Sequence, residues 1–144
     1  MFSGKDKTRN LIILFLILAG ATVYYFFYSQ PAASIQFSDE EKSVSFYGLK
    51  DTSDTFLFAD ILSIELEETP DYGEATDGGT VNGKNMYGTW ESDSLGTYHA
   101  YTTTKIAPCI LISDAEKTIV FNVSNAETTR SLYEELTEYW QENR

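Results

Sequence analysis

Residues Leu11 to Tyr28 read LIILFLILAGATVYYFFY, an apolar and aromatic run without a single charge. No other feature constrains the chain so strongly, because such a run must leave water as a unit. A helix rises about 1.5 Å per residue, so about 18 residues reach roughly 27 Å, against a bilayer core of about 30 Å. The run reads as a single-pass transmembrane helix over 11–28, with residues 1–10 as a basic tail and 29–33 as a linker. Lys5, Lys7 and Arg9 precede it, and an excess of Lys and Arg marks the cytoplasmic side. The amino terminus is thus expected in the cytoplasm and residues 34–144 outside the cell membrane. Tyr24, Tyr25 and Tyr28 crowd the outer end, where amphipathic rings settle at headgroup depth. The rival reading is a cleavable signal peptide, for which Ala19-Gly20-Ala21 offers small residues after a short apolar core. The bulky residues that follow suit a retained helix better than a new amino terminus.

About 110 residues remain, the size of one domain with its own core. Cys109 is the single cysteine, so no internal disulfide forms and stability must come from packing. A hydrophobic content of 42% and an aromatic content of 15% supply the material for it. The outer segment holds seven of the ten Lys and Arg and all but one of the 22 Asp and Glu, so it is more negative than the whole chain's −12. Such a charge excludes nucleic acid as a partner, since phosphates demand a basic footprint.

Period-two alternation at Ile35 and Phe37, Val44 and Phe46, Phe56 and Phe58, and Leu62, Ile64 and Leu66 predicts half-buried strands. The turn-like Ser38-Asp39-Glu40-Glu41 and the stretch Gly48 to Asp54 join them as hairpins. Tyr98 to Thr104, Cys109 to Ile112 and Ile119 to Val123 complete about seven strands across 34–123. Between them, residues 69–88 read as one long Gly-rich loop, a length that in a compact domain is often functional. The period then changes. Ser124-Asn125-Ala126-Glu127 fits a capping box, and Thr129, Leu132, Leu136 and either Tyr139 or Trp140 recur at helical spacing over 124–143. Strands followed by one helix give an α+β class, a curved antiparallel sheet covered by the helix.

The order of hairpins, the stretch Ala59-Asp60-Ile61-Leu62-Ser63-Ile64-Glu65-Leu66 and the terminal helix resemble bacterial pleckstrin-homology-like (PH-like) domains. Further matching beats are Asn82-Gly83, Gly88-Thr89-Trp90, Leu95-Gly96-Thr97-Tyr98, Pro108-Cys109-Ile110-Leu111-Ile112, Phe121-Asn122, Glu127-Thr128 and Leu132-Tyr133. The resemblance implies a bent antiparallel β-sandwich or partly open barrel of seven strands, plugged by the helix. Its functional implication is thin, because the fold hosts lipid binders, peptide binders and scaffolds.

A phosphoinositide site needs converging cations, whereas the early strands offer only Lys42 and Lys50 among Asp39, Glu40, Glu41, Asp51 and Asp54. Phosphoinositide binding is therefore not expected. His99 and Cys109 are the only residues of their kinds, so a thiol-imidazole dyad is the sole thiol option. Cys109 reads better as a small core hydrophobe, and His99 as a rim residue. No G-x-S-x-G elbow is present. Asp71, Glu74 and Asp77 are hard oxygen ligands in the Gly-rich loop and form a candidate calcium site, though without EF-hand spacing; zinc is not expected from one His and one Cys. Asn122-Val123-Ser124 matches a glycosylation sequon beside the helix cap.

These features lead to the expectation of a non-enzymatic, cofactor-free adaptor, anchored in the membrane and binding an envelope protein or peptide. Tyr87, Trp90, Tyr98 and Tyr101 are its candidate binding residues, since aromatics carry much interface energy. Tyr98 to Thr104 is the candidate edge for an added peptide strand. The alternative is a small-molecule or calcium-responsive sensor using residues 71–77.

Overall fold

The computed structural model describes residues 4–28, 33–103, 107–123 and 125–144, and in the first of these stretches the side chains of 7–19. Two units divide near residue 30. The first is helix α1, Gly4–Tyr28, whose described apolar side chains from Leu11 to Leu18 are all exposed. Among the described residues, no helix is long and apolar enough to cross a membrane. The described side chains of α1 cover 13 residues, a rise of about 20 Å against a bilayer core of about 30 Å, and that stretch includes Lys7 and Arg9. The transmembrane anchor is overturned, and with it the single-pass cell-membrane location and the extracytoplasmic placing of residues 34–144. The tyrosine belt at Tyr24, Tyr25 and Tyr28 lies outside the described side chains.

The second unit is an α+β domain rich in sheet. Strands β1 (Ala33–Ser38), β2 (Ser43–Gly48) and β3 (Ser53–Leu57) form an antiparallel sheet in that order. Alternation directs Val44, Phe46 and Phe56 inward, each no more than 1% exposed, while Tyr47 and Leu57 face solvent. A 3-10 turn, Phe58–Asp60, ends β3. Phe58 therefore belongs to the turn rather than a strand, and it is fully buried.

Strands β4 (Ser63–Glu67), β5 (Glu74–Val81), β6 (Asn85–Ser92), β7 (Gly96–Tyr101), β8 (Cys109–Ser113) and β9 (Thr118–Phe121) form a second sheet, ordered β4-β8-β9-β7-β6-β5. All its pairs are antiparallel except β7 with β9, which run parallel from His99↔Ile119 to Tyr101↔Phe121. The expected seven-stranded antiparallel sandwich is thus replaced, among the described residues, by nine strands in two sheets, one of them mixed. The two additional strands occupy most of the expected loop 69–88. Nearly every β5 side chain is exposed, so no apolar alternation betrays the strand. Its hairpin turns through residues 82–84, with Asn82 and Gly83 both at positive φ and Lys84 N–H donating to the Val81 carbonyl at 3.3 Å, a short Gly-containing loop of the kind that joins antiparallel strands. Leu62 lies outside β4 and is 68% exposed; Ile61 takes the core position instead.

Both faces of the larger sheet are covered. On one, Ile64, Ile110, Ile112, Ile119, Phe121 and Tyr101 pack with Val44, Phe46 and Phe56 of the small sheet and with helix α2 (Ala126–Asn143). On the other, Met86, Trp90, Tyr98, Ala100, Cys109 and Val120 pack beneath Tyr72 and Leu95. Helix α2 starts one residue later than the expected capping box. Asn125 is the N-cap, its side-chain oxygen accepting the Thr128 N–H at 2.8 Å and satisfying one of the helix's orphan donors; Ser124 is outside the described residues. Thr129 and Leu136 are buried, and Leu132, Tyr139 and Trp140 pack against the core.

Candidate functional site

Strand β7 splits its side chains between the two faces. Tyr98 and Ala100 enter the core beneath Tyr72, while Tyr101 joins the opposite core and His99 stands beside it. Strand β6 does the same: Met86 and Trp90 go under, and Tyr87 and Thr89 share the side of His99, Thr89 being its cross-strand partner. A polar cleft of about 500 Å³ opens there between the β2–β3 turn and strands β5, β6 and β7. Its walls include Lys50, Asp51, Asp54, Asp77, Tyr87 and His99.

Two close approaches set the walls. Gly48 lets the β2–β3 turn lie on Tyr101: a Cβ there would sit 2.6 Å from Thr52 Oγ1 and 2.9 Å from the Tyr101 ring. The turn is closed by Gly48 N–H donating to the Thr52 carbonyl at 2.8 Å, with Lys50 and Asp51 both at positive φ. In the other wall Gly78 and Gly88 face each other across β5 and β6. Gly88 has φ +80°, and a Cβ would fall 2.2 Å from the Asp77 carbonyl oxygen, so only glycine fits.

At the base of the cleft, four side chains from three regions of the fold meet. Asp54 Oδ2 accepts the Tyr101 hydroxyl at 2.6 Å and lies 2.9 Å from His99 Nδ1. Lys117 approaches Asp54 Oδ1 at 3.8 Å while donating to the Thr55 carbonyl at 2.9 Å and lying over the Phe56 ring. Asp114 caps the β8–β9 turn that delivers Lys117, accepting the backbone N–H of Glu116 and of Lys117, each at 2.8 Å. The Asp54 side chain is 10% exposed and that of His99 44%. A buried carboxylate requires such partners, and a shared one fixes all of them. Burial, then the hydrogen bond to Asp54, pushes the Tyr101 hydroxyl well above the usual tyrosine range.

Of the four aromatic candidates, the cleft brings together only Tyr87 and Tyr101. Trp90 and Tyr98 lie on the opposite face, Trp90 Nε1 donating to the Tyr87 carbonyl at 3.0 Å and the Tyr98 hydroxyl to the Tyr72 carbonyl at 2.6 Å. The period of a strand explains the split, because residues three apart point to opposite sides. Strand β7 is no edge either, being paired on both sides; β4 and β5 are the sheet's edges. Residue 104, the end of the expected edge segment, is outside the described residues.

The acidic candidates are divided in the same way. Asp71 and Glu74 line a separate cavity of about 370 Å³ with Glu91 and Asp93, while Asp77 lines the main cleft. Among the described residues, no group of three or more His, Cys, Asp or Glu side chains is placed to hold a metal ion. Cys109 is fully buried on the face away from His99, and burial pushes its thiol up to about 12; no thiol-imidazole dyad exists. Asn122 of the sequon is 2% exposed, its amide bonded to both backbone groups of Thr103.

Nothing in the sequence marks Asp54 and Lys117 as site residues. Only the period of β7, which puts His99 on the side of Tyr101, hinted at the cluster; Asp54 lies 45 positions from His99, beyond any local pattern. Comparison with protein-family models, with curated proteins and with solved structures found no significant match.

Proposed function

We propose that the sheet domain is a non-catalytic binding module whose main cleft receives a cationic segment of a partner protein or peptide. The observation that carries this reading is the cleft itself: Asp51, Asp54 and Asp77 line it, on a chain of net charge −12 whose acids lie almost entirely in this domain. An excess of one charge sign in a concave site favours ligands of the opposite sign. Lys50 in the lining, and Lys117 beside Asp54, leave the cleft mixed rather than uniformly acidic, which favours a segment with a defined register over any polycation. Burial of the one thiol away from His99 supports a binding role over nucleophilic catalysis. Antiparallel hairpins closed by one terminal helix are what supports kinship with PH-like domains, the parallel β7–β9 pair being a departure.

Titration of the full chain with capped hexa-arginine, hexa-lysine and hexa-glutamate peptides tests the reading by backbone amide shifts. Hexa-arginine or hexa-lysine is expected to shift amides near Asp54, Asp77 and His99, and hexa-glutamate to shift none. Asp51→Asn with Asp77→Asn should weaken binding about tenfold or more, since each removes a charge at the cleft. Glu135→Gln with Glu138→Gln, the same charge change on α2, should leave it unaltered. Equal weakening by both pairs would mean that only net charge matters, and the cleft would lose its role.

A further inference from the structure

We propose that His99 is the specificity-determining residue of this cleft, presenting Nε2 as the acceptor for an N–H of an arginine or lysine side chain, so that binding is linked to proton release. The inference rests on the binding role proposed above and adds the chemistry of recognition and its dependence on pH.

A carboxylate only accepts hydrogen bonds, so the 2.9 Å contact with Asp54 puts the hydrogen of the neutral imidazole on Nδ1. The other ring nitrogen, Nε2, is then an acceptor. The ring does not choose this state by itself. Asp54 is held by the Tyr101 hydroxyl at 2.6 Å on the same oxygen and by Lys117 at 3.8 Å on the other, and a carboxylate held in this way orients the histidine that it contacts. Asp54 is thus a positioning residue, nearly out of reach of a ligand, whereas His99 is 44% exposed and lines the cleft.

Protonation reverses what His99 offers. The imidazolium has two donors and no acceptor, and its charge opposes a cationic ligand. Imidazoles change charge between about pH 5 and 8, so the affinity for a cation is expected to rise across that range. The charged and titratable groups around the ring are Asp54 from β3, Asp51 and Lys50 from the β2–β3 turn, Asp77 from β5, Tyr87 from β6 and Tyr101 from β7, with Lys117 of the β8–β9 turn behind Asp54. A bound cation among these carboxylates competes with the proton, and linkage makes the effect reciprocal.

The test uses the full chain and labelled, capped hexa-arginine at fixed ionic strength. Wild-type affinity should be about tenfold higher at pH 8 than at pH 5. His99→Gln, which removes the imidazole, should flatten the dependence. Imidazole nitrogen NMR of the unliganded wild type should show the Nδ1–H form near neutral pH, and Asp54→Asn should mix the two forms. An unchanged pH slope in His99→Gln overturns the role of His99, as does a wild-type Nε2–H form, a result that needs no variant. No hexa-arginine binding at either pH, with the Nδ1–H form intact, overturns the cationic-segment reading and this proposal with it.

Discussion

Asp54 is the residue on which the cleft depends, because three side chains approach its two oxygens. Tyr101→Phe removes the shortest of these contacts without changing the ring packed on Phe46. A hydrogen bond to a charged group contributes more than a neutral one, so the variant should lose about 2 kcal/mol in urea unfolding. Tyr98→Phe, whose hydroxyl reaches only a backbone carbonyl, should lose about 1 kcal/mol. A loss for Tyr98→Phe equal to or above that for Tyr101→Phe would deny the carboxylate its special place. Single side chains are also what the sequence reveals least about. Tyr101 stood out as an aromatic, yet its value to the site lies in a hydroxyl bond to a residue 47 positions away. Aromatic content marks where apolar area is available, but only the folded pairing of two sheets reveals which rings keep a polar end at a cavity.

At the scale of elements, legibility followed side-chain contrast. Strands with one buried and one exposed face, such as β2 with Val44 and Phe46, announce themselves through alternation, as does α2 through Thr129, Leu132 and Leu136. Strand β5 has no such contrast, and its sequence reads as loop. Glycine there is a structural requirement rather than a sign of slackness. Gly88→Ala would force a Cβ against the Asp77 carbonyl at a φ of +80° and should cost about 2 kcal/mol or more, with amide exchange accelerated across the β5–β6 hairpin first. In α2, Asn125→Ala removes the acceptor of the Thr128 N–H and should cost about 1 kcal/mol. Thr129 also holds this helix start, its hydroxyl donating toward the carbonyls of Val123 and Asn125, so fraying in Asn125→Ala should stop there.

For the molecule as a whole, tyrosines and a thiol are buried against the two faces of the six-stranded sheet, and their burial sets an alkaline limit. Burial raises Tyr72, Tyr98 and Tyr101 well above 10.0, and Cys109 from 9.0 to about 12. Above pH 9 the unfolded chain therefore binds fewer protons than the folded one, and stability must fall as pH rises. The urea midpoint should show no contribution from these groups below pH 9 and decline steadily towards pH 11, while Cys109 stays silent to thiol reagents until unfolding. A midpoint that holds to pH 11 would contradict the burial of these groups. The position of β9 carries a consequence in time. It lies between β7 and β8, yet it follows both of them in the chain. A nascent chain that has already made β7 carries that strand with one side unpaired until Thr118–Phe121 emerges, and unpaired strand edges recruit other chains. During translation the centre of the finished sheet is thus a temporary rim, the place where a stalled or truncated product would first stick to its neighbours.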